Sequence, residues 1–497
     1  MPVDLRLRLH RLVVPFSLGV GAVALGGFAI LPFTDLLPGR AAAALLVLGL
    51  IVGLLTLSAR DACSVLTWLL VLLFLVPQPF VLVGPLKSVG SPAGLVALGA
   101  LAIWAASRVL GLIEAPELHP VRWALLGFSV AALASYGAGL TRDLTTGEAA
   151  SMDRVVFQHL AFLGVGLLAV DGLGSRERIT TLLQRLVLLG GVAAFIGILE
   201  FVFSGFDFRS LMLLPGLTTS AELDSYSRSG FDRIAAGASH PIEFSVVTAA
   251  LVPPAMHFVI HAQSGRWKYW LALIALLAAV PMSISRSGFL TLAVGVVFYA
   301  AVLTNRGRFN VLVLGVIGLG VFRAMVPGLL GTVRSLFRDA DTDPSISGRT
   351  EDYAAIPSLM QDHWWIGRGT GTFVPDVYFF LDNQYLATLL QGGLVGLVAF
   401  VSLHVVGLGV ARGVRRRGTD AALRSEGQAL AATIAAVGVA SLFYDAFSFR
   451  QSAFLLMLVV GCAGALWSIV RDLPKVHDDH IREQEPDLEP ERNHAPV

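Results

Sequence analysis

The sequence predicts an all-α, polytopic membrane bundle of about 12–14 spans, with a large extracytoplasmic loop forming a cap. Three observations predict it. Apolar residues make up 55% of the 497 and charged residues only 14%, against about 25% charged in a soluble protein. Mean hydropathy is +0.73. The apolar residues also fall in runs long enough to cross a bilayer as a helix, which takes about 20 residues. The same figures exclude a soluble enzyme, and a net charge of +1 offers no basic face for nucleic acid.

The first run, 12–33, follows Arg6, Arg8 and Arg11. It is too long for a cleaved signal and lacks a cleavage site, so it reads as a retained first span. Further spans are predicted near 41–58, 64–83, 93–113, 121–140, 156–173, 181–204, 241–262, 267–284, 287–304, 309–325, 385–411, 427–443 and 451–470. Only a Ser-Arg-Ser break separates 267–284 from 287–304. Bases gather in alternate short connections: Arg176 and Arg178, Arg266 and Lys268, Arg306 and Arg308, and Arg412 with Arg415–Arg417. The positive-inside rule then places both termini in the cytoplasm. The acidic tail 471–497 reads as a disordered cytoplasmic end. Cys63 and Cys462 are the only cysteines and no CxxC occurs, so neither a structural disulfide nor a thiolate metal site is expected.

Four regions follow: helices and a first outer loop over 1–240, a core over 241–411 holding the large outer loop 326–384, C-terminal helices over 412–470, and the tail 471–497. The large loop is rich in aromatics, among them Tyr353, Trp364, Trp365, Phe373 and Tyr378, which suits an ordered cap rather than a linker.

Charges within or beside spans are costly and functional by default. Here they collect on the outer side: Glu200, His240, Glu243, Arg286, Asp382 with Asn383, and Asp445. Arg286 is the sole base of a very short turn on the side where bases are disfavoured. Outer-loop arginines, including Arg209, Arg233, Arg349 and Arg368, add guanidinium groups that suit phosphate oxygens. The inner halves of the spans read as nearly uncharged, which argues against a through-going transport path.

Other patterns fail. Asp339, Asp341 and Asp343 resemble a calcium loop, but Pro344 replaces the glycine that loop needs. The outer histidines lack the i, i+4 spacing of a zinc helix, and no metal or cofactor is expected. Gly367-Arg368-Gly369-Thr370-Gly371 lacks the lysine of a phosphate loop and reads as a flexible turn.

Several motifs occur in a characteristic order. Arg233 stands six residues before His240-Pro241, and Ser283-Ile284-Ser285-Arg286-Ser287-Gly288 forms a turn. The loop runs from Gly348-Arg349 through Trp364-Trp365-Ile366-Gly367 to Asp382-Asn383-Gln384-Tyr385-Leu386, followed by Gln391-Gly392-Gly393. Over roughly 230–410 the chain resembles the O-antigen ligase and polymerase superfamily of bacterial envelope enzymes.

The resemblance implies a metal-independent, inverting glycosyltransferase of the bacterial cytoplasmic membrane. It would take a glycan from a polyprenyl-diphosphate carrier at the outer face and join it to a hydroxyl acceptor. Its arginine positions carry over to Arg286 and Arg233. Ligases of this kind place a histidine before the loop-closing asparagine; Asp382 stands there instead, which tips the reading towards a polymerase. A diphosphate leaving group gains charge, which arginines can stabilise, and an attacking hydroxyl needs a base. Asp382 is the first candidate base, then Glu243, then His240. Arg286, Arg233 and Arg349 are candidates for the diphosphate, and Asn383, Tyr353 and Trp364 for the sugars. The alternative is a transporter of the same lipid-linked glycan.

Overall fold

The computed structural model describes residues 61–83, 90–112, 118–203, 205–213, 216–220, 227–228, 231–325 and 353–473, with short stretches of 47–53. The expected span 12–33, most of 41–58, Arg349, the Asp339–Asp343 segment and nearly all of the tail lie outside the described residues.

Although the 64–83 span is helical only to Leu75 and Phe80–Leu82 is a strand, every predicted span from 64–83 onward overlaps a helix. In order these are α1 (Ala62–Leu75), α2 (Pro92–Val109), α3 (Pro120–Gly139), α4 (Thr146–Gly172), α5 (Arg176–Val202), the short α6 (Phe208–Leu211), α7 (Pro241–Ala250), α8 (Val252–His261), α9 (Arg266–Met282), α10 (Arg286–Ala300), α11 (Asn305–Met325), α12 (Gln384–Arg417), α13 (Ala421–Ala440) and α14 (Arg450–Val470). Among the described residues, eight helical segments are long and apolar enough to cross a membrane, and the shorter α1 and α10 are also apolar. The protein is a polytopic all-α membrane protein. Two small antiparallel ribbons, β1 (Phe80–Leu82) with β2 (Leu217–Thr219) and β3 (Ser227–Arg228) with β4 (Phe231–Asp232), are its strands among the described residues.

The interior is organised around two pillars. In α14, and in the α7–α8 span, 83% of the hydrophobic window is buried. Around them α2 packs on α4, α4 on α14, α9 on α5, α10 on α13, and α12 on α3, α13 and α14. By contrast none of the α11 window is buried, so α11 is peripheral. The α7–α8 span bends at Leu251, where Pro253 and Pro254 cannot donate to the helical ladder.

The Ser-Arg-Ser break is a true helix boundary. Ser285 has an extended backbone and its hydroxyl caps Gly288 N–H, so α9 ends and α10 starts anew. α9 then lies on α5 while α10 lies on α13.

The chain reverses between successive spans, so the loops sort into two ends. One end gathers the 203–240 loop, the 283–285 turn, the 353–383 cap segment and the 441–449 loop. α7, α10, α12 and α14 all begin there, with their positive dipole ends towards it.

Candidate active site at the cap end of the bundle

The site is assembled from four loop segments and four helix starts. Arg233 donates from Nε to the carbonyl of Ser283 at 2.9 Å, which brings the approach to α7 against the start of α10. Two residues here hold left-handed backbones that side chains disfavour: Ala236 at φ 45° and Ile284 at φ 50°. Ile284 is β-branched and fully buried. Such conformations persist only where surrounding packing imposes them, and they cluster at functional sites. Each of the two lies inside a motif that carries the family resemblance.

The approach to α7 is pinned from several sides. Glu200 accepts from Ala236 N–H at 2.8 Å. Arg209, which reads from sequence as loop charge, is buried and donates to the carbonyls of Ala236 and Ala238 at 3.3 and 3.0 Å. His240 is the N-cap of α7, with Nδ1 accepting from Ile242 N–H at 3.1 Å. Its pKa is held down to about 4 by burial and then by Arg233 and Arg209. The ring is therefore neutral at pH 7, and with Nδ1 occupied as acceptor its proton sits on Nε2. That makes His240 a donor rather than the base expected from sequence.

Glu243, the second candidate base, is fully buried. It accepts from the backbone N–H of Ser239 and of Gln451, each at 2.7 Å. One carboxylate thus ties the start of α7 to the start of α14, and its oxygens face backbone rather than an open cleft. Its role is structural.

Asp382 and Asn383 open α12. Asn383 caps that helix through Oδ1, accepting from Tyr385 N–H at 3.0 Å and Leu386 N–H at 3.2 Å, and its Nδ2 donates to the Tyr353 hydroxyl at 3.3 Å. Gln384 binds the 441–449 loop: its N–H donates to the Ser441 carbonyl at 2.8 Å, and its Oε1 accepts from Phe447 N–H at 2.7 Å. This brings Asp382 within electrostatic reach of Asp445, which the sequence alone gave no reason to rank. The Asp445 carboxyl is pushed up to about 7, by burial first and by the Asp382 and Glu243 charges as well, against a hydrogen bond from Ser448. A carboxyl group titrating near neutrality within electrostatic reach of a second is a usual source of acid–base chemistry. Arg286, half-buried, occupies the first position of α10. A cation at a helix start works against the helix dipole.

The Gly367–Gly371 segment is not a flexible turn. It threads through a break in α12, where Gly393 leaves helical geometry at φ 63°, ψ −163°. Arg368 N–H donates to the Leu390 carbonyl at 2.9 Å and Gly369 N–H to the Gln391 carbonyl at 3.1 Å, while Leu394 N–H donates to the Trp364 carbonyl at 2.8 Å. A Cβ on Gly367 would lie 2.2 Å from the Gln391 oxygen, and one on Gly393 would lie 2.4 Å from the Trp365 carbonyl. Arg368 donates to the Leu359 carbonyl at 3.0 Å and to the Tyr378 hydroxyl at 2.9 Å, and Tyr378 donates to Glu148 at 2.9 Å. The cap is thereby stitched to α4 and α12. Trp364 is 43% exposed.

The opposite end is not uncharged, as the sequence suggested. Arg122 on α3 and Asp171 on α4 form a buried ion pair at 2.7 Å, and Trp104 Nε1 also donates to Asp171 at 2.9 Å. Glu426 is buried against Thr180, whose hydroxyl donates to it at 2.9 Å. Both acids lie at ends of apolar runs, where sequence alone shows them as interfacial and only packing buries them. Among the described residues, no group of three or more His, Cys, Asp or Glu side chains converges on a metal position.

Residues 271–401 match the family model described as O-antigen ligase. No curated protein matches the chain. The matched segment holds the Ser283–Arg286 turn, the cap, Asp382, Asn383 and the Gly393 break, so over that stretch the chain is similar to the O-antigen ligase family.

Proposed function

We propose that the protein is an integral-membrane glycosyltransferase that polymerises or ligates polyprenyl-diphosphate-linked saccharides at the outer face of the bacterial cytoplasmic membrane, inverting the anomeric centre without a metal. The reading is supported coarsely by the O-antigen ligase match, which implies a lipid-linked glycan substrate in a membrane. The observation that carries it is the bond joining Arg233 to the Ser283–Arg286 turn, at the same end of the bundle as Asp382 and Asp445.

In this mechanism Arg286 and Arg233, with Arg349, hold the diphosphate. An acceptor hydroxyl attacks the anomeric carbon from the face opposite the diphosphate. Its proton passes to the Asp382 carboxylate as the glycosidic bond forms, and the sugar–phosphate C–O bond breaks to release the lipid diphosphate. Arginine charge matches the charge growing on that leaving group. Asp445 shares the acid–base work, and His240 Nε2–H donates to substrate or phosphate oxygen. Asn383, Tyr353 and Trp364 position the sugars. The polymerase form is favoured by Asp382 standing where ligases carry histidine.

The buried charges at the opposite end keep one other reading in play, transport of the intact lipid-linked glycan. Purified protein with a polyprenyl-diphosphate oligosaccharide separates the readings. Release of lipid diphosphate with a ladder of products indicates a polymerase, and a single product on a separate acceptor indicates a ligase. Movement of intact lipid across a vesicle without any release would replace the enzyme reading by transport.

A further inference from the structure

A cleft of about 570 Å³ opens at the end opposite the cap, between the first turns of α5, the α8–α9 connection and the start of α13. Its size lies in the range of small-ligand sites, and neither the transfer chemistry nor the family match touches it. Its walls carry both signs of charge. Glu177 on α5, the buried Glu426 on α13 and Lys268 on α9 all line it. Arg176 lies among the acids and is bridged to both Asp420 and Glu426, so its charge is already matched. His257 is likewise engaged, with Ser425 at 2.9 Å.

The mouth sits at head-group depth. α9 begins Arg266-Trp267-Lys268-Tyr269-Trp270, with Trp267 69% and Trp270 40% exposed, followed at once by exposed Leu271 and Ile274. That succession from indole belt to apolar surface marks a membrane interface. A cleft at this level with opposite charges on different helices suits a ligand that carries both charges.

We propose that this cleft binds the head group of a zwitterionic phospholipid with a primary amine, its phosphate against Lys268 and its ammonium against Glu177. The ammonium N–H groups supply charge-assisted bonds to carboxylate that a quaternary amine lacks. The proposal is independent of the glycosyltransferase reading.

Native mass spectrometry of the full chain, titrated with phosphatidylethanolamine, phosphatidylcholine and phosphatidylglycerol, tests it. The ethanolamine lipid is expected to be retained about tenfold better than the other two, the equivalent of one charge-assisted hydrogen bond. The isosteric Glu177→Gln is expected to erase the advantage over the choline lipid, and Lys268→Ala to weaken all three alike. Equal retention of the three lipids, preference for the glycerol lipid, or a preference unchanged in both variants would each overturn the proposal. Soluble glycerophosphoethanolamine separates the sources. Lipid retention in its excess supports a lipid ligand, and displacement at matched concentration would overturn the lipid assignment.

Discussion

Arg233 and Ser283 stand 50 positions apart and meet through a 2.9 Å bond from Nε to carbonyl oxygen. The bond joins the two segments that hold left-handed non-glycine backbones, Ala236 and Ile284. An arginine fixed through Nε keeps a defined guanidinium plane, which is what a diphosphate site requires.

Arg233→Lys preserves the charge but loses that Nε–H, and is expected to lower turnover while leaving the fold intact. Arg286→Ala is expected to lower it by about 100-fold or more, the scale for losing one preorganised charge-stabilising donor. Lipid-diphosphate release under saturating donor is the measurement. Wild-type turnover in Arg286→Ala would remove Arg286 from the mechanism.

Asp445 gives a pH dependence of known sign. Its pKa in the folded protein is about 7, above the unfolded value of 3.8. Its contribution to stability is therefore fully present below about pH 4 and is lost as pH rises through about 7. Asp445→Asn is expected to flatten the fall in thermal stability between those limits and to change the pH–rate profile near neutrality. Unfolding scans across pH 4–8 in detergent, paired with rate profiles, check both.

Gly393→Ala places a methyl group against the Trp365 carbonyl at a left-handed position. Strain of this kind costs about 1–3 kcal/mol before any clash. The expected outcome is release of the cap from α12, seen as faster proteolysis within 353–383 while the transmembrane core stays protected. An unchanged cleavage pattern would show that the break tolerates a side chain.

Asp171→Ala leaves Arg122 buried without its carboxylate. Losing one partner of such a pair costs about 3–5 kcal/mol, whereas replacing both by apolar residues is often neutral. Arg122→Met combined with Asp171→Leu is therefore expected to regain most of the melting temperature lost in Asp171→Ala. This thermal comparison also distinguishes a structural pair from a transport path, because a path would lose function in the double variant even with stability restored.

Much of the site was legible because its residues break local rules. Arg286 is a base in a tight turn, His240-Pro241 opens a helix, and Asp382-Asn383 ends a long loop before an apolar run. Their ranking was not legible. Glu243 ranked above Asp445 in the sequence, yet Glu243 is consumed by two backbone donors while Asp445 lies within electrostatic reach of Asp382. Arg209 and Arg368 read as loop cations, yet each is engaged by carbonyls within the protein.

The sequence by itself determined the membrane bundle, the positions of the described spans and the motifs at one end, because the bilayer imposes a length and a polarity that single segments must meet alone. Tertiary structure decided what each polar group does. Whether a carboxylate is a cap, a tie or a reactive pair depends on which distant backbone and charge lie beside it. The same holds for the glycines: Gly367 and Gly393 carry no sign in the sequence that one backbone must pass within contact of the other.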